Sequence, residues 1–195
     1  MRASGLSQFR IRRAADTVGR GGLIAYPTEA VYGLGCDPLN GDAVTQLCAL
    51  KHRSANKGLI LVAASVDQLL PYLAPISQSQ WRPVLATWPG AVTWLLPAAK
   101  HVPWWLCGEH DTLAVRVSAH PLIRALCQRS QSPLVSTSAN IVGKPPQTRA
   151  LGVRRIFGDQ LQYILSGATG GFAKPTEIRR LSGVVVRRSG APKLD

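Results

Sequence analysis

The sequence predicts a single α/β domain built on a mixed sheet, and two observations carry this prediction. Short apolar runs alternate along the chain with segments whose apolar residues recur at helical spacing. No linker-like break and no internal repeat interrupts this order over the 195 residues. With 46% hydrophobic and 17% charged residues, a chain of this length can form one domain with a substantial core.

The predicted elements follow one another from the N terminus. A first helix and the segments 42–50 and 118–129 repeat their apolar residues at helical spacing. The apolar side of the first helix is formed by Phe9, Ala14, Ala15 and Val18. Residues 65–68, Ser-Val-Asp-Gln, have the form of a capping box that opens a further helix. The predicted strands cover residues 23–26, 58–63, 91–96, 112–117, 133–136 and 183–188.

The most informative segment spans residues 26–37, Tyr-Pro-Thr-Glu-Ala-Val-Tyr-Gly-Leu-Gly-Cys-Asp, between a predicted strand and a predicted helix. Pro27 fixes φ and stops the strand, while Thr28 supplies a hydroxyl and the next residue a carboxylate. Gly33 and Gly35 allow the backbone to turn tightly or to approach a ligand. Taken alone, the segment is equally compatible with an ordinary strand-to-helix connection.

A cluster of cations, Lys51, Arg53 and Lys57, lies between a predicted helix end and a predicted strand start. These charges would repel one another unless an anion or a carboxylate lies between them, and a triphosphate is a natural counter-charge. The alternative is that Lys51 and Arg53 complement the helix macrodipole, at roughly 0.3–1 kcal/mol each.

Two further features point to a ligand site. Arg116 closes an otherwise apolar strand, where an unpaired guanidinium would be costly to bury. It therefore either faces solvent on an edge or meets a carboxylate, such as that of an amino acid. Ser136, Ser138 and Asn140 lie where a strand gives way to a loop, and α/β sheets commonly bind ligands at strand ends. Turn capping by Ser and Asn remains the structural alternative.

Composition argues against several other kinds of site. The four cysteines form no Cys-x-x-Cys pair, which favours buried reduced thiols in a cytoplasmic protein over disulfides or a zinc knuckle. The four histidines are scattered, so no structural metal is predicted. No apolar signal segment follows the basic N terminus, and prolines and a glycine break the longest uncharged run, 83–99, so no membrane span is expected. No P-loop, dinucleotide-binding or serine-hydrolase motif is present.

The formal net charge is +13, and the basic residues are densest from residue 144 onward, where ten Lys and Arg accompany three Asp and Glu. A surplus of this size creates a positive field that attracts polyanions such as nucleotides, pyrophosphate and RNA. A generally basic surface without a specific partner has the same composition, so charge alone does not identify the ligand.

Six blocks, taken together and in order, resemble the YrdC-like family, and more closely its short bacterial threonylcarbamoyl-AMP synthases. The blocks are Tyr-Pro-Thr-Glu-Ala-Val-Tyr-Gly-Leu-Gly at 26–35, Leu-Lys-His-Arg at 50–53, Lys-Gly-Leu-Ile-Leu at 57–61, Trp-Pro-Gly-Ala-Val-Thr at 88–93, Leu-Ala-Val-Arg-Val at 113–117 and Ser-Thr-Ser-Ala-Asn at 136–140. The resemblance covers residues 9–190, which implies one catalytic domain without a C-terminal accessory domain.

The resemblance implies a twisted mixed sheet with flanking helices that enclose a positively charged cavity. It also implies a reaction, the condensation of L-threonine, bicarbonate and ATP to threonylcarbamoyl-adenylate and pyrophosphate. Mg²⁺ is then expected to accompany ATP as a phosphate-bound ion. Partner proteins would transfer the threonylcarbamoyl group to an adenosine in certain tRNAs, and the enzyme would be cytoplasmic, with a possible tRNA contact of its own.

Site residues are implied by the resemblance at matching positions. Thr28, Arg116 and Ser136 match positions that contact threonine, the last through its backbone. Lys51 and Arg53 match the catalytic cations. The ATP-contacting set is Lys51, Arg53, Lys57, Thr112, Ser138, Asn140 and Arg188. Three positions depart from the family pattern: Ser54 replaces a usual proline, Val142 a usual serine, and Pro146 an ATP-contacting serine of some relatives.

Two other functions compete with this interpretation. An RNA-binding protein would use the +13 charge and the five tryptophans, but the sequence has no RNA-recognition motif. The carbamoyl-transfer module of hydrogenase maturation proteins shares the domain, but those are long chains with zinc-finger and acylphosphatase-like modules. Adenylate formation needs positioned reactants and neutralised phosphate charge more than an acid–base pair, which suits hydroxyls and cations without an obvious nucleophile.

Overall fold

The computed structural model describes residues 5–172 and 176–187 and has an α/β fold with a mixed sheet, as predicted. The helices are α1 (Gly5–Gly19), α2 (Gly41–Leu50), α3 (Gln78–Leu85), α4 (Trp104–Cys107), α5 (Pro121–Ser130) and α6 (Ala150–Phe157). The strands are β1 (Ile24–Pro27), β2 (Tyr32–Gly35), β3 (Ile60–Ala63), β4 (Val92–Pro97), β5 (Thr112–Val117), β6 (Leu134–Ser138), β7 (Tyr163–Ile164), β8 (Glu177–Arg180) and β9 (Val185–Arg187). Short 3-10 turns cover Ala55–Lys57, Leu70–Tyr72 and Gly158–Gln160.

The strands form one sheet with the order β7-β1-β2-β6-β3-β5-β4-β8-β9. Three neighbouring pairs are parallel, namely β1 with β7, β3 with β5 and β4 with β8, and the others are antiparallel. The central strands β6, β3 and β5 therefore have a neighbour on both sides, and their buried residues contribute to both faces.

Each face of the sheet has its own apolar core. The smaller core packs α1 and α5 against one face and includes Val62 of β3, Leu134 of β6 and Cys127 of α5. The larger core packs α2, α3, α4 and α6 against the other face and includes Leu61 and Ala63 of β3. Successive residues of a strand point to opposite faces, which explains this division. The smaller core covers only part of its face, and the candidate site lies on the remainder.

The segment 26–35 differs from the predicted strand-to-helix connection because it contains a second strand. β1 and β2 pair antiparallel, with Pro27 opposite Tyr32, before the chain enters α2. The two glycines of β2 make the strand hard to recognise, yet close packing requires one of them. A Cβ atom at Gly35 would lie 2.2 Å from the Val135 carbonyl oxygen and 2.9 Å from the Tyr26 ring.

Other expectations are corrected in detail. No α-helix follows Ser65; the chain makes turns there, and the Gln68 side chain accepts a bond from the Ala64 N–H and donates to the Cys127 carbonyl. The capping box belongs instead to Ser77, at the start of α3.

On α1, three of the four apolar residues are buried as predicted, but Phe9 is half exposed and Ile11 is buried in addition. The strand predicted at 183–188 is β9, and Arg188 lies outside the described residues. Among the helices in the described ranges, none combines the length and apolarity needed to span a bilayer.

Candidate active site

Polar side chains follow the sheet face that carries α1 and α5, beyond the area these helices cover. Val62 of β3 belongs to the core of that face, and it pairs with Arg116 of β5 and Leu134 of β6. Direct cross-strand partners share a face, and so do residues two apart on a strand. Arg116, Ser136 and Ser138 therefore lie on the same face. Leu134 of β6 lies level with Arg116 across the sheet, and Ser138 is four residues further along β6, which corresponds to about 13 Å.

At one end of this face, Arg116 is buried in a polar cluster. Its guanidinium donates from Nη1 to the hydroxyl of Thr176 at 2.9 Å and to that of Thr93 at 3.4 Å. Its Nη2 lies 3.3 Å from Oε2 of Glu29, and Oε1 of the same carboxylate accepts a bond of 2.5 Å from the Ser118 hydroxyl. Arg116 and Glu29 are each 3% exposed. Arg116 therefore does not face solvent on a sheet edge; its buried guanidinium meets a carboxylate, the second of the two predicted alternatives.

Thr28 and Ser136 line the next part of the face. The Thr28 hydroxyl donates to the Val31 carbonyl at 2.8 Å, so its lone pairs remain able to accept a bond. A Cβ atom at Gly33 would lie 3.2 Å from the Thr28 methyl group and 3.5 Å from the Ser136 hydroxyl, so both side chains border this glycine. Burial raises the pKa of Tyr26 beneath them, and its hydrogen bond with Ser136 opposes that shift. The tyrosine is therefore neutral.

At the other end, Lys51 joins the helix α2 to the loop after β6. The residue caps α2, and its ammonium group donates to the backbone carbonyls of Ser138 and Asn140, the second at 2.7 Å. The Ser138 hydroxyl donates to Oδ1 of Asn140 at 2.5 Å, and Nδ2 of that amide donates to the carbonyls of Ile141 and Lys144. The structure thus brings together three of the predicted ATP-contacting residues, with the lysine 3% exposed.

The rest of the predicted ATP set is more dispersed. Arg53 is half-buried and donates from Nη2 to the Gly58 carbonyl at 2.8 Å, and burial lowers its pKa from the usual arginine value. Lys57 is exposed. Thr112 lines an open cavity of about 500 Å³ beside β8, together with Arg180. Arg188 lies outside the described residues.

Sequence reasoning assigned no role to several residues that the fold brings to Arg116. Glu29 was visible within the first motif, and Thr93 ended another, but their contact with Arg116 depends on a sheet order that local patterns do not contain. Ser118 follows β5, and Thr176 precedes β8 by one residue. No local sequence signal distinguishes these two hydroxyls from ordinary loop residues. Among the described residues, no group of three or more His, Cys, Asp or Glu side chains could hold a metal ion.

Comparison with known proteins identifies the family. The model of the Sua5/YciO/YrdC family, described as "Telomere recombination", matches residues 16–190. The chain belongs to this family. A threonylcarbamoyl-AMP synthase of Nitrosococcus oceani is 54% identical over 171 residues, which cover 88% of this chain and 92% of the relative. One of Halorhodospira halophila is 49% identical over 185 residues, which cover 94% of this chain and 97% of the relative.

A solved member of the Sua5/YciO/YrdC family has the same fold. The crystal structure of P. abyssi Sua5 complexed with L-threonine superposes with a TM-score of 0.88 at 34% identity. The match covers 95% of this chain but 55% of the Sua5 chain, so this chain spans about half the length of that protein. The shared part is the α/β domain described above.

Proposed function

We propose that this protein is a threonylcarbamoyl-AMP synthase, a nucleotidyltransferase that forms L-threonylcarbamoyladenylate and pyrophosphate from L-threonine, bicarbonate and ATP. The observation that carries the proposal is the 49–54% identity to proteins of that name over nearly the whole length of both chains. The catalytic unit is the domain at residues 9–190. Its products would pass to proteins that transfer the threonylcarbamoyl group to tRNA in the cytoplasm.

The buried cluster at Arg116 supports the amino-acid end of this proposal. An arginine held at the sheet face by hydroxyls of Thr93 and Thr176 is a fixed cation for the threonine carboxylate. Thr28 can accept a bond from the substrate hydroxyl, since its own proton is bound to a backbone carbonyl. Ser136 lies between this end and the loop at Ser138, where it can contact the substrate through its backbone.

The contacts of Lys51 support the nucleotide end. The ammonium group fixes the loop through the carbonyls of Ser138 and Asn140, and it keeps a positive charge at the end of β6. A carbamate that forms near Arg116 can then attack the α-phosphate of an ATP whose phosphates extend toward Lys51 and Arg53. Charge develops on the phosphate oxygens during this attack, and preorganised cations stabilise it.

We propose that Mg²⁺ would enter as part of the ATP substrate and would supply positive charge at its phosphates. Mg²⁺ keeps several waters and is usually bound through substrate phosphates with one or two protein carboxylates rather than in an all-protein cage. Lys57, Thr112 and Arg188 would complete the nucleotide contacts.

The direct test is to incubate the protein with ATP, Mg²⁺, bicarbonate and labelled L-threonine. We expect pyrophosphate release that depends on both threonine and bicarbonate, and a labelled adenylate that is resolved by chromatography. Pyrophosphate release that does not depend on threonine would contradict the proposal. So would the absence of a labelled adenylate when a control enzyme is active under the same conditions.

A further inference from the structure

The Glu29 carboxylate is buried in the Arg116 cluster, and one of its oxygens is unsatisfied. Oε1 accepts the Ser118 hydroxyl, but Oε2 has no hydrogen bond to any described residue and lies 3.3 Å from Nη2 of Arg116. Nε of Arg116 is also buried without a partner among the described residues. A buried polar atom without a hydrogen bond destabilises the fold, because it has given up its bond to water. Two opposite charges, each with an unsatisfied atom, therefore adjoin at the amino-acid end of the site.

This pair matches the two charges of a zwitterion. Arg116 alone would suit any carboxylate, whereas Glu29 beside it adds an acceptor for a positive group on the same ligand. An α-amino acid carries a carboxylate and an ammonium on neighbouring atoms. Its binding would pair with both charges without adding net charge to a buried site.

We propose that Glu29 binds the α-ammonium group of the amino-acid substrate through Oε2 and accepts its proton before carbamate formation. The inference rests on the proposed function, because it concerns the amine that reacts with bicarbonate. An ammonium nitrogen has no lone pair for attack, so the reaction requires a group that removes a proton. Among the described residues of the cluster, Glu29 is the carboxylate in position to do so.

The proton and bond changes balance as follows. The ammonium gives one proton to the Glu29 carboxylate and becomes an amine. The amine nitrogen forms a bond to the bicarbonate carbon, whose hydroxyl leaves with a second nitrogen proton as water. The substrate is then an N-carboxylate, ready to attack ATP, and Glu29 is a neutral acid that returns its proton to solvent after product release.

Three other titratable groups belong to the cluster or lie near it. Arg116 lies on β5, and Tyr26 lies on β1 with a pKa that burial raises. His120 precedes α5; its backbone N–H donates to the Ser118 hydroxyl at 3.1 Å, and its Nε2 contacts the Ala168 carbonyl at 3.1 Å. Nδ1 of the imidazole is buried without a hydrogen bond to a described residue. The His120 backbone is linked to Glu29 through the Ser118 hydroxyl, whereas the Glu29 carboxylate pairs directly with Arg116.

The first test compares the pH dependence of Glu29→Gln with that of the wild type, with pyrophosphate release as the readout. Removing a general base typically lowers the rate by roughly 10²–10⁴-fold, and we expect such a loss in kcat/KM for threonine near pH 7, with little change in the KM for ATP. The loss should shrink as the pH rises, because free amine then reaches the site already deprotonated. A loss of equal size at every pH would overturn the base role, and a pH profile that shifts in His120→Asn but not in Glu29→Gln would do the same.

The second test measures binding without turnover. Calorimetry compares L-threonine with 2,3-dihydroxybutanoate, which has a hydroxyl in place of the amine. We expect Glu29→Gln to weaken threonine binding by about tenfold or more while the dihydroxy acid binds as well as before or better, since its carboxylate still meets Arg116. Equal weakening of both ligands would mean that Glu29 only supports Arg116.

Two controls keep the outcomes separable. Ser118→Ala retains the Glu29 charge but removes the hydroxyl that holds Oε1, so we expect a smaller loss with the wild-type pH profile. Circular dichroism and urea unfolding show whether each variant is folded. A wild type that forms no threonine-dependent adenylate would contradict the proposed function itself, whereas an active wild type with parallel pH profiles would contradict only the role of Glu29.

Discussion

Lys51 and Lys100 carry the same charge in opposite environments. Lys51 is buried and fixes the loop at Ser138 and Asn140 through two carbonyls, whereas Lys100 is exposed after β4. We expect Lys51→Ala to lower pyrophosphate release by about 10²-fold or more, because the cation no longer stabilises phosphate charge and the loop loses its anchor. Lys100→Ala makes the same change in net charge and should leave the rate within about twofold. Similar rates in the two variants would remove Lys51 from the nucleotide site.

Alanine variants of Lys51 and Arg53 test local structure as well as charge. Since Lys51 and Arg53 each donate to backbone carbonyls, their removal weakens local structure as well as charge. These carbonyls belong to Ser138, Asn140 and Gly58 rather than to α2, so the contacts do not test the helix-macrodipole alternative. Urea unfolding of each variant separates the two effects, because a loss of rate in a fully folded protein belongs to the site.

The Arg116 guanidinium is held by three side chains, Thr93, Thr176 and Glu29, which only a planar group with several donors can contact at once. Arg116→Lys retains the charge but loses this geometry and the two-point grip on a carboxylate. We expect the KM for threonine to rise by about tenfold or more and much further than the KM for ATP, since the lysine end of the site is unchanged. Steady-state kinetics with each substrate varied in turn provide the measurement. Unchanged threonine affinity would refute the carboxylate contact.

At the scale of elements, the close approach of β1, β2 and β6 depends on Gly35. A Cβ atom there would meet the Val135 carbonyl oxygen at 2.2 Å, and a backbone oxygen can move only if the strands separate. We expect Gly35→Ala to lower the free energy of unfolding by roughly 1–3 kcal/mol or more, measured by urea denaturation. Gly19→Ala is the matched control: no atom lies within 4 Å of the position that its added methyl group would take, so stability should stay the same or rise by up to about 1 kcal/mol. Equal midpoints would contradict the packing argument.

The same strands show which elements could be predicted from sequence. The sequence predicts β5 with the observed bounds because only Arg116 interrupts its apolar run. It predicts α5 at 118–129, against the observed Pro121–Ser130, because the apolar spacing and Pro121 agree. β2 was missed, since two glycines in four residues resemble a loop until the neighbouring strand is known. The helix expected after Ser65 does not form, because the Gln68 side chain bonds to Ala64 and Cys127 across the fold instead of capping a helix.

For the candidate site, the residue types were predictable and their grouping was not. Arg116 was recognised because a guanidinium in an apolar strand needs a counter-charge. The carboxylate that supplies it, Glu29, lies on a distant segment. Lys51 was expected beside an anion, but its ammonium group donates to the carbonyls of a loop that begins at Ser138. Both pairings follow from the sheet order, which depends on long-range contacts.

At the scale of the whole molecule, the two cores on opposite faces of the sheet both contain cysteine. Cys127 lies in the core beneath α1 and α5, and Cys36, Cys48 and Cys107 lie in the larger core. All four are free thiols and buried, as the absence of paired spacing predicted. Burial raises the pKa of each thiol, so the folded protein resists thiolate formation on both faces of the sheet.

The raised thiol pKa values predict that the free energy of unfolding falls at alkaline pH. Burial raises the pKa of Cys127 from 9.0 to about 12, so its contribution is fully present below pH 9 and is lost as the pH rises toward 12. At pH 10 the thiol of the unfolded chain is mostly ionised and that of the folded chain is not, which lowers the free energy of unfolding by about 1.4 kcal/mol. Urea denaturation at pH 7 and pH 10 measures the decrease. Cys127→Ala should be less stable at pH 7, because it leaves a cavity, but it should lose less stability than the wild type between the two pH values. If the variant and the wild type lose equal stability over this interval, the Cys127 thiol is not the group that titrates.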